Sequence, residues 1–189
     1  MGASNVGDVT ESAISAFLSV LALASAALAI ALVISWATGV GDGVRRELAP
    51  FALPLALAIS TTATLGSLYY SEIADFPPCK LCWYQRIAMY PLPVLLTVAL
   101  ATRDRWVARY TVPVAAIGAM IAIYHVQLEL FPEQESICSA DVPCSVKWVD
   151  QFGFVTIPFM ALCGFAAVIA LSLLARTGAD DDLVPLEER

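Results

Sequence analysis

The residues with chemical potential in this chain are five cysteines and a single histidine. Cys79 and Cys82 form a C-x-x-C pair inside Pro77-Pro78-Cys79-Lys80-Leu81-Cys82-Trp83-Tyr84-Gln85-Arg86. Two prolines keep the approach extended, so a helix should begin around the cysteines. A thiol at a helix N-terminus sees the positive end of the dipole, which favours the thiolate. Arg86 follows Cys82 by four residues, one helical turn on along the same face. Its permanent charge would favour a negative sulfur there. Cys138 and Cys144 form a second, C-x5-C pair. Thiol–disulfide exchange passes two electrons from one such pair to another when the two meet. His125 stands between the pairs in the chain, near the outer end of the fourth expected span, and is a candidate catalytic residue beside a possible cofactor pocket.

Each of these residues also has a plainer reading. Arg86 alone would serve as an interfacial arginine pairing with lipid phosphate, and C-x5-C as a static loop staple. A lone histidine is commonly a packing residue. Cys163, among Leu162, Gly164 and Phe165, reads as a small buried hydrophobe. Four cysteines and a histidine also invite zinc, but C-x5-C is not the usual second half-site, so no metal is expected.

The elements that must position these residues are membrane helices. The 189 residues are 59% apolar and 14% charged, with a mean hydropathy of +0.77. Soluble domains are roughly 45–50% apolar and about 25% charged, and disorder needs low hydrophobicity. The net charge of −7 supplies no basic stripe for nucleic acid. Stretches free of Asp, Glu, Lys and Arg cover 12–41, 48–71, 87–102, 110–128 and 151–175. A spanning helix needs roughly 20 mostly apolar residues. Four stretches qualify directly, and the third qualifies if its helix starts near Trp83 with Arg86 snorkelling.

Five spans are therefore expected: about 12–38, 50–70, 83–102, 107–128 and 153–175. The first is not expected to be a signal peptide, because Asp8 and Glu11 precede it without any Lys or Arg. Arg45, Arg46, Arg103, Arg105, Arg109, Arg176 and Arg189 fall on one side of such a topology; only Lys80, Arg86 and Lys147 fall on the other. That bias places the first side in the cytoplasm. The loops 72–86 and 129–150, with four cysteines, then face an oxidising compartment. The acidic end, with Asp180, Asp181, Asp182, Glu187 and Glu188, reads as a solvated cytoplasmic tail.

The run Cys79-Lys80-Leu81-Cys82-Trp83-Tyr84-Gln85-Arg86, followed by Met89-Tyr90-Pro91, resembles the DsbB/BdbC family of disulfide-bond-formation proteins. So do the spacing to His125, the second cysteine pair, and Phe154-Val155-Thr156-Ile157-Pro158 opening the last span. The resemblance covers about residues 50–176. It implies an all-α integral membrane protein of the prokaryotic cell (inner or plasma) membrane, built as a four-helix bundle. Such a protein reoxidises a DsbA/BdbD-like thioredoxin-fold partner and passes the electrons to a membrane quinone, ubiquinone or menaquinone. Carried over, Cys138 and Cys144 receive electrons, with the mixed disulfide at Cys138. Cys144 then exchanges with Cys79. Cys82 is the thiolate at the quinone, Arg86 stabilises the negative charge, and His125 matches the histidine near the quinone ring.

The short second loop is similar to the BdbC branch. One departure is an extra N-terminal transmembrane helix. The expected organisation is 1–47 as an extension with that helix, 48–176 as the four-helix domain, and 177–189 as the tail. Two other readings stay open. A vitamin-K-epoxide-reductase-like oxidoreductase is also quinone-linked, but its membrane C-x-x-C follows the loop pair, whereas here it precedes it. A non-enzymatic membrane protein with two structural disulfides would keep its cysteines inert.

Overall fold

The computed structural model describes residues 3–104, 106–134, 138 and 142–181, with side chains from Val9 to Arg176. Arg105, Arg189 and the acidic residues of the tail fall outside the described side chains. The helices are α1 (Ala3–Thr38), α2 (Asp42–Leu48), α3 (Ala52–Glu72), α4 (Lys80–Met89), α5 (Pro91–Thr102), α6 (Ala108–Leu130) and α7 (Ile157–Asp181). A single 3₁₀ turn, Ala49–Phe51, joins α2 to α3.

Four segments are long and apolar enough to cross a bilayer: Val9–Thr38, Asp42–Glu72, Ala108–Leu130 and Ile157–Arg176. The other expected span differs in form. It starts at Lys80 rather than near Trp83, and it is two helices meeting at Tyr90. Pro91 and Pro93 have no N–H to donate back to the preceding turn. Tyr90 itself keeps helical dihedrals, φ −64° and ψ −32°, so the backbone stays helical through the junction while the prolines interrupt the hydrogen-bond ladder.

The distribution of side chains is that of a protein dissolved in lipid. Large apolar residues such as Phe17, Ile30, Leu65, Ile87, Val94 and Met120 are exposed, whereas Ser15, Ser19, Ser60, Thr111 and Ser172 are buried. Between membrane helices, small and hydroxylated residues allow close approach and bond across the contact. Thr111 of α6 and Ser172 of α7 do so at 3.0 Å.

Helix α7 is the hub, packing on α1, α3 and α6. Phe165 of α7 is fully buried, and its ring occupies the space where a side chain at Gly118 of α6 would begin. Gly118→Ala is therefore expected to destabilise the bundle by about 1–3 kcal/mol, the usual cost of overpacking. A lowered unfolding temperature in detergent would show it; an unchanged one would mean that the two helices separate freely.

Candidate functional site

Cys79 is the N-cap of α4. Its backbone is extended, with φ −70° and ψ 174°, and its sulfur accepts the Cys82 backbone N–H at 3.3 Å. Pro77 and Pro78 hold the approach in that conformation. The preceding loop is anchored by stacked rings: Tyr70 on Phe76 at 5.8 Å, and Phe76 on Trp148 at 5.2 Å. That stack ties the segment before the first cysteine pair to the segment after the second. Thr156 starts α7 as an ordinary N-cap, accepting the Phe159 N–H at 3.4 Å, while its hydroxyl donates to the buried Glu129 at 2.6 Å. A short antiparallel bridge between Gln151 and Val155 precedes it. Phe152 and Gly153 turn that bridge with φ of 57° and 78°, the left-handed conformations that tight hairpins require.

The two cysteine pairs meet in one small cluster. Cys79 and Cys144 are buried there with Leu81 and Leu128, and Cys82, Cys138 and Tyr124 pack around them. Cys138 and Cys144 are joined by a disulfide with Cα atoms 5.8 Å apart. Cys79 and Cys82 are free thiols whose sulfurs lie 2.9 Å apart, so disulfide closure needs only about 1 Å of movement. These two sulfurs and His125 Nε2 lie within 4.8 Å of one another. Two sulfurs on one tetrahedral zinc would stand about 3.8 Å apart, so the spacing suits dithiol chemistry better than ligation.

His125 sits between the pairs. Its Nε2 is 3.0 Å from the Cys144 carbonyl and 3.6 Å from the Cys79 sulfur. A carbonyl only accepts, so Nε2 carries the proton and donates. Nδ1 then accepts from the Gln85 amide at 3.1 Å. The Cys82 thiol beside the Cys79 sulfur, with His125 alongside, holds the Cys79 thiol below its ordinary range despite its burial. In the reduced protein, Cys79 should therefore begin to alkylate at lower pH than an ordinary thiol. In Cys82→Ala the lost donor raises the midpoint toward the ordinary thiol range of about 8.5. Site-resolved mass spectrometry of iodoacetamide labelling against pH measures this shift; coincident profiles would refute it.

A cavity of about 280 Å³ lies on the other side of Cys82, between α1, α3, α4 and α7. Its lining is mainly apolar, with Cys82, Gln85 and Arg86 supplied by α4. Arg86 is 9% exposed. Its Nε donates to the Ser67 hydroxyl and its Nη2 to the Ser67 carbonyl, both at 3.0 Å. Its guanidinium carbon lies 5.1 Å from the centre of the Trp83 ring. These bonds use two of five N–H donors and hold the charge in place at the cavity wall.

All six expected site residues thus fall in one region, but on two faces. Cys82 and Arg86 line the cavity. Cys79, Cys138 and Cys144 cluster behind it. His125, expected at the ring of a bound quinone, is not among the residues lining the cavity; its two nitrogens meet Cys144 and Gln85. Two supporting residues were not foreseen. Gln85 stood in the quoted motif without a role, and Ser67 carries no local signal at all.

A model of the disulfide bond formation protein DsbB family matches residues 49–175. The chain belongs to the DsbB family. Among its relatives, a probable disulfide formation protein C of Bacillus cereus is 45% identical over 133 residues, covering 69% of this chain and 95% of that protein. Disulfide bond formation protein C of Bacillus subtilis is 46% identical over 120 residues, covering 62% and 87%. No solved structure gives a significant match. As a DsbB-family member the chain is an all-α membrane oxidoreductase of disulfide bond formation. Helix α1 lies outside the matched region.

Proposed function

We propose that this DsbB-family protein is a protein-disulfide:quinone oxidoreductase that reoxidises a thioredoxin-fold thiol oxidase. The supporting observation is the division of the site into two faces. Cys79 faces the Cys138–Cys144 pair, whereas Cys82 and Arg86 face an apolar cavity.

A cavity near the small end of the usual ligand range, with one fixed cation and one thiol in a mainly apolar lining, fits the head of a lipid quinone. Cys82 and Arg86 would hold it, and when bound it supplies an acceptor for two electrons and two protons. The chain's own residues perform the thiol exchange. A thiolate of the partner attacks Cys138 and releases Cys144. Cys144 attacks Cys79 of the Cys79–Cys82 disulfide and releases Cys82 as a thiolate at the cavity wall. Cys79 then carries no charge, so it no longer holds the proton on Cys82. Arg86, one turn along the helix, favours the negative sulfur. The second partner thiol displaces Cys138, leaving the partner oxidised, and the freed Cys138 thiolate attacks Cys144 of the Cys79–Cys144 disulfide, which restores the Cys138–Cys144 pair and leaves both electrons on Cys79 and Cys82.

The organisation proposed is an extension of 1–47, a four-helix unit of 48–176 and a cytoplasmic tail of 177–189. The cysteine loops face the extracytoplasmic side of the cell membrane, as the excess of arginines at the opposite helix ends favours. Tyr70 near the end of α3 donates to the hydroxyl of Ser15, in the N-terminal half of α1, at 3.1 Å.

A thiol-trapping gel tests the exchange. With a reduced thioredoxin-fold partner that lacks its second active-site cysteine, the Cys138–Cys144 disulfide should be opened and a mixed disulfide through Cys138 should accumulate, and with the intact partner the protein should consume a soluble quinone. Neither event, in folded protein, would leave a membrane protein with static disulfides.

A further inference from the structure

Helix α1 packs against the bundle above, beside and below the cavity. Ser15 and Ser19 are buried toward one end and Ala29 and Leu32 toward the other. Ser19 meets Met160 of α7 at 3.6 Å, and Leu18 lies so close to Gly66 of α3 that a Cβ there would stand 3.1 Å from its Cδ1. From Leu18 to Ser25 this side of the helix is half-buried or exposed, and Leu18, Leu21, Ala22 and Ser25 line the cavity. The Ser25 hydroxyl is already bonded to the Leu21 carbonyl at 2.8 Å. This wall therefore offers the cavity essentially hydrocarbon, while its polar partners Cys82 and Arg86 come from α4.

We propose that α1 is an added wall of the acceptor site, and that Leu18, Leu21 and Ala22 set the fit of the apolar edge and proximal tail of a lipid quinone. The proposal rests on the quinone reading above. The family match begins at residue 49, so this wall is supplied by a helix outside the family's common portion. Removing its side chains would open the cavity sideways to lipid, and enlarging them would fill it.

Three variants test the wall: Ala22→Phe fills the cavity, Leu21→Ala removes contact, and Val20→Phe alters the lipid-exposed face of the same helix. For each, the quinone retained per chain is measured by extraction after incubation with a long-chain quinone and purification in detergent. The KM for a soluble short-chain quinone is measured alongside. Single-turnover oxidation of the reduced partner by the Cys138–Cys144 pair reports folding independently of quinone.

Ala22→Phe should lower retained quinone about tenfold and Leu21→Ala should raise KM by a similar factor, the scale of a misfitted apolar contact. Val20→Phe should change neither, and partner oxidation should persist throughout. If Ala22→Phe loses partner oxidation and so does not fold, Leu21→Ala decides alone. Normal retention and KM in the folded cavity-facing variants would overturn the wall and leave α1 as an anchor. An unaltered protein that neither retains nor reduces quinone would overturn the quinone reading itself, and the wall with it.

Discussion

Cys82→Ser is expected to abolish steady-state quinone reduction, by at least about a thousandfold, the scale on which loss of a reacting nucleophile acts. Cys82 is the only cysteine among the residues lining the cavity. Without its sulfur, the electron pair delivered to Cys79 has no outlet on that side. A serine oxygen cannot form the Cys79 disulfide, so the cycle cannot close. The outer pair is unaffected, and the variant should still oxidise about one equivalent of reduced partner before stopping. Stopped-flow partner oxidation with parallel quinone absorbance separates the burst from turnover. Sustained turnover in Cys82→Ser would show that electrons leave by another route.

Arg86→Gln should lower kcat/KM for quinone by about 10²-fold, the usual effect of deleting a preorganised charge partner. The guanidinium is held from behind by both bonds to Ser67, so no reorganisation is needed when negative charge develops at Cys82. Glutamine removes the charge but keeps a donor within the wall. Arg86→Lys should recover little, because an ammonium cannot reproduce the two-point grip on Ser67. The burst of partner oxidation should be normal in both, which distinguishes a local electrostatic loss from a collapsed bundle. Near-normal kcat/KM in Arg86→Gln would reduce the arginine to an interfacial anchor. Ser67→Ala should act in the same direction but more weakly, since it removes the hydroxyl bond and leaves the backbone-carbonyl bond and the charge in place.

Much of this site was legible because its signals are local. A C-x-x-C after two prolines reads as a helix cap whatever surrounds it, and Cys79 caps α4 as that pattern requires. Arg86 one turn beyond Cys82 reaches the same surface by helix geometry alone. Charge-free stretches announce membrane helices because lipid solvates no unpaired charge cheaply. The interruption at Tyr90 had a local signal too, in Pro91 and Pro93, and the length criterion for a span passed over it.

The sequence by itself determined that this chain is a membrane protein carrying two cysteine pairs, with an arginine one turn from the second thiol of C-x-x-C. Periodicity, capping and the scarcity of charge are properties of neighbouring residues, and they survive any packing arrangement. Only the tertiary structure decided that His125 stands behind Cys79, that Ser67 grips Arg86, and that α1 borders the cavity. These contacts join residues 46, 19 and many more positions apart. They depend on how closely helices approach at sites such as Gly66 and Gly118. In lipid, where apolar surface alone gives helices little preference for one another, it is this steric fit and a few buried hydrogen bonds that choose the partners.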